Sequence, residues 1–168
     1  TAEYARLDNG HLAPFDIQRP EVQRAIDETL REMAHKTNNT TFEGLIDLIQ
    51  EAESEGESIP EIAERISAYF GGRKSDFETE RIARTKMVGA DNAGAMQAYS
   101  QSEVVSKTAW LAAIDDRTRE AHIEAHGQIR LLGEDFDVGG ESLRHPGDPK
   151  GSASNIIHCR CGVEPLVE

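Results

Sequence analysis

From Pro20 onward, apolar residues recur at spacings of three and four. Val22, Ile26, Leu30 and Met33 make one stripe, which predicts a helix opening on Pro20 and ending near His35, where Thr37, Asn38 and Asn39 break the pattern. Three S/T-x-x-E capping boxes follow: Thr40 with Glu43, Ser58 with Glu61, and Ser75 with Glu78. They predict helices over about 41–55, 59–70 and 76–100, the first closed by Gly56 and the second by Gly71 and Gly72. Leu45, Ile46, Leu48, Ile49 and Ala52 supply the apolar face of the first, and Ile62, Ile66, Tyr69 and Phe70 that of the second. The third carries Ala83, Gly89, Ala90, Ala93, Gly94, Ala95 and Ala98, a thin flank suited to close packing against another helix. Residues 1–19 have no sustained period, and Asn9-Gly10, Pro14 and Pro20 punctuate them, so they read as an extended arm.

Beyond residue 102 the period changes. Val104 to Ile114 is β-branched and apolar around Trp110 and predicts a strand, which Asp115-Asp116 ends. Thr118 to Ala125 predicts a short helix closed by Gly127. Gln128–Leu132 and Glu134–Val138 predict two strands joined at Gly133, and Asn155–Cys161 a final strand. Gly139-Gly140 and His145 to Gly151 read as loops. The expected fold class is therefore α+β: a mainly helical N-terminal portion followed by a small α+β C-terminal domain with short antiparallel strands. The expected division is an arm over 1–19, a helical portion over 20–102 and the compact domain over 103–168.

Charge narrows the function. The formal net charge is -13, with 11 Lys and Arg against 19 Asp and Glu in residues 1–100 and 7 against 12 in the remainder. That balance argues against a broad nucleic-acid-binding surface, which needs clustered cations. Arg73, Lys74, Arg81, Arg84 and Lys86 are the densest basic segment, read either as a solvated helix face offset by Glu78 and Glu80 or as a contact for phosphate or an acidic partner. No apolar run approaches the roughly 20 residues that cross a bilayer, so a soluble protein without membrane contact is expected. A first residue of Thr1 rather than Met suggests a processed chain or one numbered from within a longer polypeptide.

The chemically distinctive residues gather between Trp110 and Cys161. Cys159 and Cys161 are too close in sequence to bridge without strain, so they read as reduced or metal-bound thiols, which fits an intracellular assembly site. With His122, His126, His145 and His158 they supply enough donors for tetrahedral zinc, with Cys159, Cys161 and His122 leading, and His126 and His158 behind them. The alternative is a small core of buried thiols and hydrogen-bonded histidines. Asp115, Asp116, Arg117, Arg119 and His122 could form an acid, base and anion clamp for phosphodiester chemistry. The better reading is a structural polar network in which Asp115 or Asp116 pairs with Arg119 and Arg160, because the sequence marks no nucleophile or second acid-base group. No catalytic residue is assigned, and an enzyme is not expected.

Taken in order, Ile82-Ala83-Arg84-Thr85, Asn92-Ala93, Trp110-Leu111-Ala112, Asp115 to Arg119 with His122, Gly127, Phe136, Pro146 to Pro149 and Cys159-Arg160-Cys161 resemble the phage Mu F-like family of minor head proteins. The resemblance covers roughly residues 75–162 and departs from the family pattern at Lys86, where an acid is usual, and at His158, where Asn is usual. It implies a bacteriophage minor head protein involved in head morphogenesis at the portal vertex and in DNA packaging or delivery. Implied partners are portal and capsid or scaffolding proteins, with a candidate DNA contact. The implied location is the virion head or prohead, and the host cytoplasm during assembly. Some relatives are fused to a portal protein or a toxin. The alternative is a nucleic-acid-acting enzyme or toxin-like effector carried by a phage particle.

Overall fold

The computed structural model describes residues 4–6, 12–14, 19–35, 39–102 and 104–167, with side chains over 19–29 and from 44 onward. Strands β1 (Tyr4–Arg6) and β2 (Leu12–Pro14) pair antiparallel, with Tyr4 opposite Pro14. The turn expected at Asn9-Gly10 lies outside the described residues. Four helices follow: α1 (Pro20–His35), α2 (Asn39–Ser54), α3 (Ile59–Tyr69) and α4 (Asp76–Gln101). The boxes ahead of α3 and α4 form as their sequences require. The Ser58 amide donates to Glu61 at 2.7 Å, the Ser75 amide donates to Glu78 at 3.0 Å, and the Glu78 amide returns to the Ser75 hydroxyl at 3.3 Å. Helix α2 begins at Asn39, so Thr40 lies inside it instead of ahead of it; the side chains of Thr40 and Glu43 lie outside those described.

The C-terminal part comprises β3 (Val105–Leu111), α5 (Glu120–Ala125), β4 (Ile129–Leu131), β5 (Phe136–Val138), β6 (Glu141–Leu143), α6 (Ala153–Ile156) and β7 (Gly162–Val167). A three-stranded antiparallel sheet has the order β4-β3-β7, with Trp110 opposite Val163 and Lys107 between Leu131 and Leu166. The fold is α+β, as expected.

Several local expectations change. Asn155–Cys161 is not a strand: its first residues belong to α6, and the strand comes afterwards as β7. The physical reason is that His158 adopts φ 60°, which no strand permits, and this turn directs both thiols inward. The two strands expected on either side of Gly133 do not pair with each other. β4 joins β3, while β5 forms a hairpin with β6, a strand in the unassigned stretch between the two expected loops. Strand β3 stops at Leu111 because the Ala112 amide donates to His126 Nδ1 at 3.1 Å instead of to a strand. Helix α5 starts two residues later than Thr118, whose hydroxyl is occupied with the Ala113 carbonyl and the Asp115 amide.

Two cores lie along α4. Val22, Ile26, Leu45, Ile49, Ile62 and Ile66 pack on its Ala83, Met87 and Ala90. Trp110, Phe136, Val138, Leu143 and both cysteines pack with its Ala95 and Tyr99. The small flank permits this double contact. A Cβ on Gly94 would stand 3.3 Å from Val22 and Ile26 of α1, and one on Gly147 would stand 2.8 Å from the Gly89 backbone.

Candidate metal centre

After β3, the Asp115 carboxylate accepts the Arg117 amide at 2.9 Å, while Thr118 accepts the Asp115 amide at 3.1 Å. This closed turn launches α5, whose first turn delivers His122 into the interior, its ring edge-on to buried Trp110 at 5.8 Å. The opposite wall is the irregular segment after α6. Helix α4 holds that segment at two points. Thr85 accepts the His158 amide at 2.9 Å; Asn92 donates to the Cys161 carbonyl at 3.1 Å and accepts the Val163 amide at 3.0 Å. The Cys-Arg-Cys backbone is thus fixed before its side chains are considered.

His122 Nδ1 lies 3.2 Å from Cys161 Sγ and 3.8 Å from Cys159 Sγ, and the three donor atoms all fall within 4.8 Å of one another. Tetrahedral zinc with its usual bond lengths spaces neighbouring N and S donors by about 3.6 Å. The observed separations bracket that value, so the buried trio can hold a metal ion. The thiols interact strongly. A hydrogen bond from Cys161 lowers the Cys159 thiol, while the same bond and burial push Cys161 up. Metal binding takes thiolates, so a divalent cation at this site would displace the thiol protons. The Cys161 amide also donates to Cys159 Sγ at 3.4 Å, as a backbone amide does to a thiolate.

The other expected residues distribute unevenly. His126 is exposed and its Nδ1 accepts the Ala112 amide, so it is not brought to the trio despite its spacing from His122. His158 lines the same small cavity as the trio, its ring stacked on Phe77 at 5.9 Å and its Nδ1 buried without a hydrogen-bond partner. Asp115 binds Arg160 through both oxygens, at 2.5 and 2.6 Å, with Arg117 at 3.6 Å; this holds its carboxyl well below the usual range. Arg119 does not join Asp115 or Asp116 as expected. It is the N-cap residue of α5, and its guanidinium reaches the Ile157 carbonyl across the cleft. Exposed Asp116 acts on Arg160 through its charge.

The basic segment is engaged locally. Arg73 donates to the Phe70 carbonyl at 3.0 Å, Lys74 lies over the Phe70 ring at 5.0 Å, Arg81 over Phe77 at 5.7 Å, and Arg84 pairs with Glu80 at 2.7 Å. Burial pushes Lys86 down to about 8.

Asn92, Thr85 and Asp148 have structural roles that their sequence neighbourhoods do not announce. A buried Asn inside a run of small residues, poor for helix and costly unless bonded, is the signal that could have found the first. Asp148 is fully buried. Burial works to raise its carboxyl, but the Arg144 side chain, at 2.7 and 2.9 Å, and the Lys150 and Arg144 amides outweigh it and hold it at about 2.

The class defined by these features is a helical scaffold carrying a small α+β unit, closed by a His-Cys-Cys donor set and an Asp-Arg clasp. Residues 43–164 match the family described as Phage Mu protein F like protein, and the chain belongs to that family. It is 26% identical over 162 residues to the uncharacterized protein YqbB of Bacillus subtilis, covering 92% of this chain and 52% of that protein. It is also 30% identical over 140 residues to the NAD(+)--arginine ADP-ribosyltransferase EFV of Enterococcus faecalis, covering 82% of this chain and 26% of that protein. The chain thus spans about half the length of the first relative and about a quarter of the second. No solved structure matches it. Among the described residues, no helix is long and apolar enough to cross a membrane.

Proposed function

We propose that the chain acts as a minor head protein at the portal vertex, contributing to head assembly and to DNA packaging or delivery. The observation that carries this reading is the family match over residues 43–164. The mutual pairing of the polar groups agrees with it: Asp115 and Arg160 bind each other, Arg119 binds a backbone carbonyl, and the buried cysteines contact each other and His122. In this reading the exposed sides of α1 to α4 meet portal and capsid or scaffolding proteins, and Arg73 to Lys86 is the DNA contact. The chain then resides in the virion head or prohead, after assembly in the host cytoplasm. Purification of tagged chain from infected cells tests the proposal. Portal or capsid protein is expected with it, and the chain is expected in finished particles; absence of both overturns the reading.

Zinc is the metal proposed for His122, Cys159 and Cys161, since two thiolates and an imidazole suit a borderline-soft divalent ion. Its role is to close the C-terminal unit. About one zinc per chain and a melting temperature lowered by chelation are expected.

The similarity to an ADP-ribosyltransferase favours one second reading, an effector carried with the particle. Transfer of ADP-ribose from NAD(+) to an arginine acceptor by purified chain would establish it.

A further inference from the structure

We infer that the metal centre is open: His122, Cys159 and Cys161 supply three donors, and a water molecule, exchangeable for a small anion, takes the fourth position against the His158 imidazole. The inference rests on the zinc reading above. Four observations lead to it.

First, the donor set stops at three among the described residues. No carboxylate of the described residues lines the cavity beside the trio, Asp115 spends both oxygens on Arg160, and His126 spends Nδ1 on Ala112. Second, the trio faces a cavity of about 10 Å³ shared with Thr118, His158 and Arg119. That is about the space one water needs.

Third, His158 is placed beside the trio but outside it. It is not among the residues whose donor atoms lie within 4.8 Å of one another, yet its Nδ1 is buried and unpartnered. A buried ring nitrogen without a partner is costly, and a metal-bound water between it and the ion would satisfy both. The placement is held against strain. His158 sits at φ 60°, uncommon for a residue with a side chain, and the Thr85 hydroxyl and the Phe77 ring of α4 grip its backbone and its imidazole. Fourth, Arg117, Arg119 and Arg160 line the cavity, and the Arg117 side chain is 75% exposed at its edge. Asp115 offsets part of that charge, but Arg119 meets a carbonyl and not a carboxylate, so the wall stays net positive and favours a small anion at the fourth position in exchange for water.

Cobalt(II) in place of zinc reports the coordination sphere directly. The full chain is loaded with cobalt, its thiolate-to-cobalt and d–d absorption recorded, and azide titrated in. One equivalent of cobalt is expected, with a saturable change of the d–d bands on azide addition. His158→Asn removes the imidazole while keeping a residue that tolerates positive φ. This variant is expected to retain one equivalent of cobalt and the thiolate bands, with metal affinity reduced by about 10-fold, as for the loss of an outer-shell partner.

If azide leaves the wild-type spectrum unchanged, the fourth position is closed and the inference fails while zinc binding stands. A His158→Asn variant whose spectrum loses a nitrogen donor would make His158 the fourth ligand, and the open site would fail in the same way. Failure of the wild-type chain to bind cobalt or zinc at all would remove the zinc reading and the open site together. The azide titration uses wild-type protein, so it decides the matter even if the variant does not fold.

Discussion

The two cores along α4 are made of different material. The helical core is aliphatic, with Val22, Ile26, Ile49, Ile62 and Ile66 fully buried against alanines. Around Trp110 and Phe136, the C-terminal core instead buries His122, His145, Asp148 and Asn155 alongside two thiols. Length explains the difference. Strands β4, β5 and β6 have three residues each, and such short elements bring little apolar area inside. Directional bonds take its place: Asp148 gathers Arg144 and Lys150, Asn92 ties β7 to α4, and Asp115 clasps Arg160. A helical core tolerates swaps that conserve volume, whereas a core assembled from specific bonds does not.

The largest expected effects test whether α4 makes the two cores one unit. Trp110→Ala should cost about 3–5 kcal/mol and Ile62→Ala about 2–5 kcal/mol, the usual range for emptying fully buried sites. Trp110 is the single tryptophan, so its fluorescence reports the C-terminal core while circular dichroism reports chiefly the helices. Ile62→Ala should shift both transitions equally, because Ala83, Ala90, Ala95 and Tyr99 lie on one continuous helix. A shift in circular dichroism alone would mean two independent cores.

Next in size is Gly147→Ala, expected to cost about 2–4 kcal/mol from left-handed backbone strain together with overpacking. Its φ is +79°, and the added Cβ would meet the Gly89 backbone at 2.8 Å. Gly133 also has positive φ, +94°, but open space around it, so Gly133→Ala should show the strain alone, about 1–2 kcal/mol. Equal losses in thermal melts would show that the approach of the 145–148 loop to α4 contributes nothing.

The same contrast decides how much is legible in the sequence. Helices α1 to α4 follow from 3.6-residue periodicity, with capping boxes ahead of α3 and α4, all local signals, and their bounds fall close to expectation. Strands β4, β5 and β6 are three residues long and carry almost no period. Thus β6 is not anticipated at all, and the turn at His158 moves the last strand later than its apolar residues suggest. At the site, His122, Cys159 and Cys161 are legible from residue type. His126 misleads because α5 ends at Ala125, one residue before its side chain could join His122. The grip of Thr85 and Asn92 spans about 70 residues of chain, and no local pattern encodes it.

Acid should separate the cores further. Burial, then the charges of Asp91 and Asp27, raise Glu53 from 4.5 to about 7, and its Oε1 has no hydrogen-bond partner. Between pH 4.5 and 7 the folded state holds a proton that the unfolded state has lost. Stability therefore falls as pH rises through that window and levels off above it. Glu53→Gln should raise stability at pH 8 by about 1–3 kcal/mol and change little at pH 4. Asp148 behaves oppositely: its contribution is full above 3.8 and is lost as pH falls towards about 2. Denaturant melts at pH 8, 5 and 3 follow both; a Glu53→Gln effect independent of pH would refute the assignment.

The smallest effect probes the seam between α1 and α4. In Gly94→Ala the new Cβ would lie 3.3 Å from Ile26 Cδ1 and Cγ1 and from Val22 Cγ1, side-chain atoms that can move by a few tenths of an ångström. Against that crowding stands the gain of about 1 kcal/mol for replacing a mid-helix Gly with Ala. The two oppose each other, so the net change should stay within about 1 kcal/mol. Combining Gly94→Ala with Ile26→Val, which removes the closest methyl, should recover part of the helix gain as a favourable coupling in a double-mutant cycle. A loss above about 2 kcal/mol for Gly94→Ala alone would place it in the overpacking range. The helical core would then be fitted as closely as the C-terminal one, and the contrast between an adaptable aliphatic core and a bonded polar one would fail.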